Sequence, residues 1–183
     1  MAKGKHRRDI PTRPTVENEM VAKDGIIAFC RQFPKYDAAQ LLEVWSATEE
    51  DAYSLARALE AYGFHPTEEM VTELSQLESH IHGALIVAEK QWVRENDVQL
   101  RIQPGQQVIF PTTKGDFSGV ITGTDPARAI YLIARDGDTD STRRYYVQAE
   151  RVKVSVISCS DGSHKQWPCP SCGLGPCLQG IEQ

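Results

Sequence analysis

Cys169-Pro170-Ser171-Cys172-Gly173 is the stretch of this sequence whose residue types and spacing carry the most specific chemistry. Proline and glycine shape a tight turn whose backbone N–H groups face two thiolates, and both sulfurs then reach one metal at about 2.3 Å. Cys159 and Cys177 are the natural third and fourth ligands, with His164 as a substitute for either. A tetrahedron closed by four protein ligands is structural, because hydrolytic zinc keeps one position open for water. Structural Zn2+ is therefore the expected cofactor, weighed against a reduced tail that holds no metal. A second C-x-x-C pair is missing, so the expected site is irregular.

The other chemistry-bearing residues point away from catalysis. No G-x-x-x-x-G-K, G-x-G-x-x-G, H-E-x-x-H or G-x-S-x-G occurs. His80 and His82, two apart on a helix, face different sides and make poor co-ligands. A cysteine nucleophile would need His164 beside Cys169, in a flexible setting. The expectation is a protein that is not an enzyme. Asp136, Asp138 and Asp140 alternate like the start of a calcium loop, but Val147 stands where a bidentate glutamate would be needed, so a solvated hairpin loop is expected. Cys30 sits on an apolar helical stripe and reads as a small buried hydrophobe.

Charge is segregated along the chain, whose net value is −5. Residues 1–14 carry five bases against one acid, residues 15–99 sixteen acids against six bases, and residues 100–157 eight bases against six acids. The middle would repel a phosphate backbone; only the flanks could attract one. The basic start lacks an apolar stretch after it, and no run of about eighteen apolar residues occurs anywhere. A cytoplasmic location is expected, with thiols free or metal-bound rather than in disulfides.

These side chains need elements to position them. Residues 1–14, with Pro11 and Pro14, read as a flexible basic arm. Residues 15–99 read as an acidic four-helix domain. Its first helix runs from Thr15 to Phe33 with a break expected at Asp24-Gly25, and its second is capped by Asp37. Its third opens at Ser46-Ala47-Thr48-Glu49 and stops at Gly63, with Phe64 folding back on the last turn. A fourth, long helix covers Glu68–Glu95, about 40 Å at 1.5 Å per residue, with a kink expected at Gly83. Its seam of Met70, Leu74, Leu77, Ile81, Ala84, Ala88 and Trp92 alternates spacings of four and three. That seam serves either as the spine for the shorter helices or as the contact of a homodimer. The pair of helices before it does not make a DNA-reading motif, since Glu49-Glu50-Asp51 would be driven from the major groove.

Residues 100–157 alternate short Val-, Ile- and Tyr-rich runs with turns, at Gln107–Phe110, Phe117–Thr124, Ala129–Arg135, Arg143–Gln148 and Val152–Ile157. Inward rows are expected from Val108, Val120, Ile133 and the valines after Arg151. Pro104-Gly105 before the Val108 strand, Gly119-Val120 and Val152-Lys153-Val154 make the stretch resemble a small five-stranded barrel of the Src-homology-three, Tudor or KOW type. Cys169-Pro170-Ser171-Cys172-Gly173, in residues 158–183, resembles the knuckle of zinc ribbons and rubredoxins. The first resemblance implies a closed sheet that binds proteins, peptides or nucleic acids. Phe117, Tyr131 and Tyr145, with Arg143 and Arg144, are then the candidate partner-binding residues. Tyr146 falls on the opposite face from Tyr145, so a full aromatic cage is not expected.

The expected fold class is thus α+β: an acidic helical domain, a small antiparallel β-barrel and a Cys-rich zinc-knuckle tail. The expected function is binding or regulation through protein–protein contacts of helices and barrel. The alternative is nucleic-acid binding by basic arm, barrel and knuckle. Small acidic proteins of phages and mobile elements are similar in layout.

Overall fold

A computed structural model of the chain describes residues 11–45, 51–138, 140 and 142–154. It divides into two compact units, residues 1–98 and 99–183. The first is helical and the second is a sheet, so the α+β expectation holds at that level.

Helix α1 spans Glu19–Gln32, and Asn18 caps it by accepting the Met20 N–H at 3.0 Å. The break expected at Asp24-Gly25 does not occur. Gly25 is instead where α1 meets α5 (Leu77–Glu95) backbone to backbone: a Cβ at Gly25 would stand 2.5 Å from the Ile81 Cα. Helix α2 spans Ala38–Val44, and the Asp37 carboxylate accepts the Ala39 and Gln40 N–H groups at 2.9 and 3.1 Å, as expected. The expected cap at Ser46–Glu49 lies outside the described residues. Helix α3, Ala52–Ala58, is capped by Asp51, which accepts the Ser54 N–H at 2.8 Å.

A 3-10 turn at Leu59–Tyr62 follows, and Gly63 closes it with φ 85°, a left-handed stop that glycine reaches without strain. The Phe64 N–H returns to the Leu59 carbonyl at 3.3 Å, and its ring stacks on Tyr36 with centroids 5.7 Å apart. The single long helix expected over 68–95 is corrected: it is two, α4 (Glu68–Leu74) and α5. At the joint the Ser75 hydroxyl donates to the Thr72 carbonyl at 2.7 Å, and the Gln76 N–H bonds the Glu73 carbonyl three residues back. A serine hydroxyl competing for helix carbonyls offers the backbone an alternative to continuing. Gly83, where a kink was expected, lies inside an unbroken α5.

The seam faces inward. Met70, Leu74, Leu77 and Ile81 are buried with Ile26, Phe29, Leu41, Leu55 and Leu59, and Ala84 and Ala88 pack against that cluster. Each fully buried large side chain is worth about 1.5–3 kcal/mol against exposure, so the seam serves first as a core. Cys30 is half-buried on the same cluster, and burial followed by the nearby Asp37 charge pushes its thiol pKa up. Arg13 belongs to the stretch expected as a flexible arm, but it is buried. Its Nη1 donates to Glu89 Oε1 at 3.1 Å, its guanidinium lies 4.8 Å from the Trp92 ring, and Trp92 Nε1 donates to the Pro11 carbonyl. Glu89 is only 2% exposed, so this pair fixes residues 11–14 on the C-terminal half of α5.

The second unit has strands β1 (Gln107–Thr112), β2 (Gly115–Asp125), β3 (Ile130–Arg135), β4 (Tyr145–Gln148) and β5 (Lys153–Val154). All neighbours are antiparallel in the order β4-β3-β2-β1-β5. The five expected strands are there, but the closed barrel is corrected to an open sheet. Among the described residues β5 pairs with β1 at Val108 and Ile109 on one edge, β4 pairs with β3 on the other, and the two edges do not pair.

The inward row is corrected as well. Val108, Phe110, Ile121, Tyr131, Ile133 and Val147 make the core, while Val120 is partly exposed. A bulge between Ile121 and Gly123 leaves Thr122 unpaired, its hydroxyl donating to the Leu132 carbonyl at 3.1 Å. Val120 faces away because β1 sets it opposite Gln107, while Gly119 and Phe117 pair with the buried Val108 and Phe110; the bulge changes the facing only of residues beyond it. Val152 packs on this core, Val154 is 41% exposed, and Val156 lies outside the described residues.

Candidate binding surfaces

On the sheet, β2 and β3 place Phe117 and Arg135 on the core-facing side, since both keep step with Ile121 and Ile133 by alternation. The Arg135 guanidinium carbon lies 3.6 Å from the Phe117 ring centroid, a stacked cation–aromatic pair. Arg135 Nε is buried with no hydrogen-bond partner, and so is Asp138 Oδ2 in the turn that follows. On β4, Tyr145 pairs with Ile133, tilts against Phe110 at 5.4 Å, and holds the Arg143 guanidinium 5.3 Å from its ring. Two arginine–aromatic pairs therefore sit on one side of the sheet.

The remaining candidates divide. Tyr131 is 2% exposed and its hydroxyl accepts the Ile102 N–H at 3.0 Å, which makes it a core residue rather than a contact residue. Tyr146 faces the other way and is 71% exposed. Arg144 is half-buried and donates from Nη1 to the Arg143 carbonyl. No aromatic cage assembles among the described residues, because alternation and burial separate the rings. Arg135 is the residue that sequence reasoning did not single out. The signal for it was its in-step position with Ile133 and Tyr131.

On the helical unit, several charges are paired. Glu73 accepts the Tyr36 hydroxyl at 2.6 Å and pairs with Lys35 Nζ at 2.7 Å. Burial opposes ionisation of Glu73, but the bonds from Lys35 and Tyr36 outweigh it and hold its carboxyl pKa below the usual range. Burial first, then Glu73, push the Tyr36 hydroxyl pKa well up. Arg57 pairs with Glu60 at 2.9 Å. Glu17, Glu19, Glu43, Glu68 and Glu69 line exposed positions of the same unit. On α5, Glu78, Ser79, His82, Gly83 and Ile86 border a shallow depression open to solvent. His80, one residue before the buried Ile81, meets the edge of Phe29 at 5.6 Å instead.

Among the described residues no group of three His, Cys, Asp or Glu is placed to hold a metal ion. Asp136 accepts from Gln107 Nε2, and Asp140 accepts the Thr142 hydroxyl at 2.6 Å, which lowers the Asp140 pKa. The expected hairpin loop is thus tied by ordinary hydrogen bonds. Cys159, His164, Cys169, Cys172 and Cys177, the expected zinc ligands, lie outside the described residues.

Fold and surfaces together define a two-unit α+β protein with an acidic helical unit and an open five-stranded sheet. No protein-family model, curated protein or solved structure matches the chain. No helix among the described residues is long and apolar enough to cross a membrane.

Proposed function

We propose that this chain is a non-enzymatic binding protein of the cytoplasm whose acidic helical unit docks a basic protein partner. The observation that carries this reading is how the charge of that unit is used. Arg13, Lys35 and Arg57 are each engaged by an acid of the same unit, and the exposed acids, Glu17, Glu19, Glu43, Glu68 and Glu69 among them, outnumber the other exposed bases Lys23, Arg31, Lys90 and Arg94. A surface of that kind attracts cationic partners and repels nucleic acid. The cysteine tail supplies a structural Zn2+ through Cys169, Cys172, Cys159 and Cys177, with His164 as alternate, and takes no part in hydrolysis.

Affinity capture from the native host at low and high salt tests the docking reading. A basic protein captured at low salt, lost at about 0.5 M salt and lost with Glu68→Lys/Glu69→Lys, supports it. Capture that ignores both salt and that charge reversal overturns it. Metal analysis of the purified chain tests the zinc: about one equivalent is expected, falling on Cys169→Ser. Less than a tenth of an equivalent under non-chelating conditions removes the site.

A second reading is favoured by the Arg135–Phe117 and Arg143–Tyr145 pairs on one side of the sheet. Aromatic rings beside cations are the means by which single strands are stacked and neutralised. Generic single-stranded DNA or RNA binding at low salt, weakened by Phe117→Ala, supports it. Absence of binding there discards it, because phosphate contact is strongest at low salt.

A further inference from the structure

Helix α5 has two working sides, and the core accounts for one of them. Leu77, Ile81, Ala84, Ala88 and Trp92 point into the helical unit. On the opposite side, Ser79, Gly83, Ile86 and Lys90 recur at spacings of four, three and four, which aligns them along one stripe. His82 and Val87 flank it. Val87 is 63% exposed, an apolar side chain that nothing in the helical unit covers.

Along the stripe Ile86 is the one large apolar side chain. Gly83 is exposed, and a Cβ built there meets no atom within 4 Å. Glu78, Ser79, His82 and Ile86 border a shallow, solvent-open depression beside it. Ile86 stands one turn further along, so a bare backbone position and a larger apolar side chain occupy the same face of the same helix.

We propose that two copies of the chain associate by packing α5 against α5 in antiparallel fashion, Ile86 of each copy seating over Gly83 of the other. A two-fold axis between those positions sets Ser79 of one copy level with Lys90 of the other. Charge selects this arrangement and this occupant. Glu78 lies at one end of the stripe, and Lys90 and Arg94 at the other. Antiparallel packing brings Lys90 of one copy beside Glu78 of the other, whereas parallel packing would set like charges together and Gly83 against Gly83. A surface that completes itself under a two-fold rotation is what a symmetric dimer requires. Opposed helix dipoles add in the same direction. This contact is independent of the partner taken by the acidic surface.

One helix pair buries less than the ~1,200 Å² of a standard interface, so the dimer is a weak one, on the order of tens of micromolar. Sedimentation equilibrium of the full chain from about 5 to 300 µM at low salt reads it. The expected result is a monomer–dimer equilibrium that Glu78→Lys and Lys90→Glu each weaken at least fivefold, by roughly 1 kcal/mol. Glu78→Lys/Lys90→Glu together should return the constant to within about twofold of the wild type, since the pair is exchanged rather than lost. Gly83→Leu fills the bare position and should weaken association about tenfold while leaving helical content unchanged or raised. A chain monomeric through 300 µM overturns the proposal. A dimer indifferent to these substitutions overturns it too, because its contact then lies elsewhere.

Discussion

Gly25→Ala is the sharpest test of how the helical unit is held together. An alanine Cβ at position 25 would lie 2.5 Å from the Ile81 Cα, 2.7 Å from its Cγ1 and 2.8 Å from its backbone N. Carbon atoms pack at about 3.5–4.0 Å, so the overlap exceeds 1 Å and falls on backbone that has no rotamer to change. α1 and α5 must part, and the contacts of Ile26, Phe29 and Leu77 loosen with them. Overpacking of this severity costs about 3 kcal/mol, at the upper end of the usual range. Alanine returns about 0.5–1 kcal/mol through helix propensity, leaving a net loss of roughly 2 kcal/mol. Gly83→Ala is the matched control in α5: it gains the same propensity with no atom within 4 Å to strike. In a unit of this size about 1 kcal/mol moves Tm by 4–8 °C, so Gly25→Ala should melt roughly 10 °C lower and Gly83→Ala a few degrees higher. Circular dichroism at 222 nm on a micromolar solution, with urea titration beside it, measures both. A Gly25→Ala protein as stable as Gly83→Ala would mean that the two helices do not meet at their backbones, and the packing argued for this unit would be wrong.

Arg13→Ala should destabilise the helical unit by about 3 kcal/mol, because it leaves the buried Glu89 without this cation; urea unfolding reads the difference. In the sheet, Ile121→Ala should cost about 2–5 kcal/mol and Val120→Ala about 1 kcal/mol or less, a contrast that reports which face of β2 packs on the core. Glu73 has a folded-state pKa below the usual carboxylate range, so its stabilising contribution is present at neutral pH and lost as pH falls through that lowered value. Glu73→Gln should flatten the acid limb of the stability profile without moving it elsewhere. Tyr36, pushed up by burial and Glu73, should ionise well above the ordinary tyrosine value, and Tyr36→Phe should remove that late step from a titration followed at 295 nm.

Local chemistry was legible in the sequence where a residue acts on its own backbone neighbours. Asp37 before Ala38 caps α2, and Gly63 ends the turn after α3, because an acceptor oxygen or a missing Cβ decides such points within a few residues. The five strands and their turns were legible for the same reason. The apolar seam from Met70 to Trp92 gave the buried face of two helices correctly while hiding their joint, since periodicity carries through a Ser75-Gln76 step that a side-chain hydroxyl interrupts.

Long-range geometry was decided only on folding. Gly25 looks like a helix breaker until α5 arrives against it, and Arg13 looks like part of a loose arm until Glu89 and Trp92 enclose it. The register of β2 on β1 chose Ile121 over Val120, by setting Val120 opposite Gln107 and Gly119 opposite Val108. The Arg135–Phe117 stack joins residues eighteen positions apart through strand register. In each case the deciding partner lies far away in the chain, and its proximity is a property of the packed molecule rather than of any local pattern.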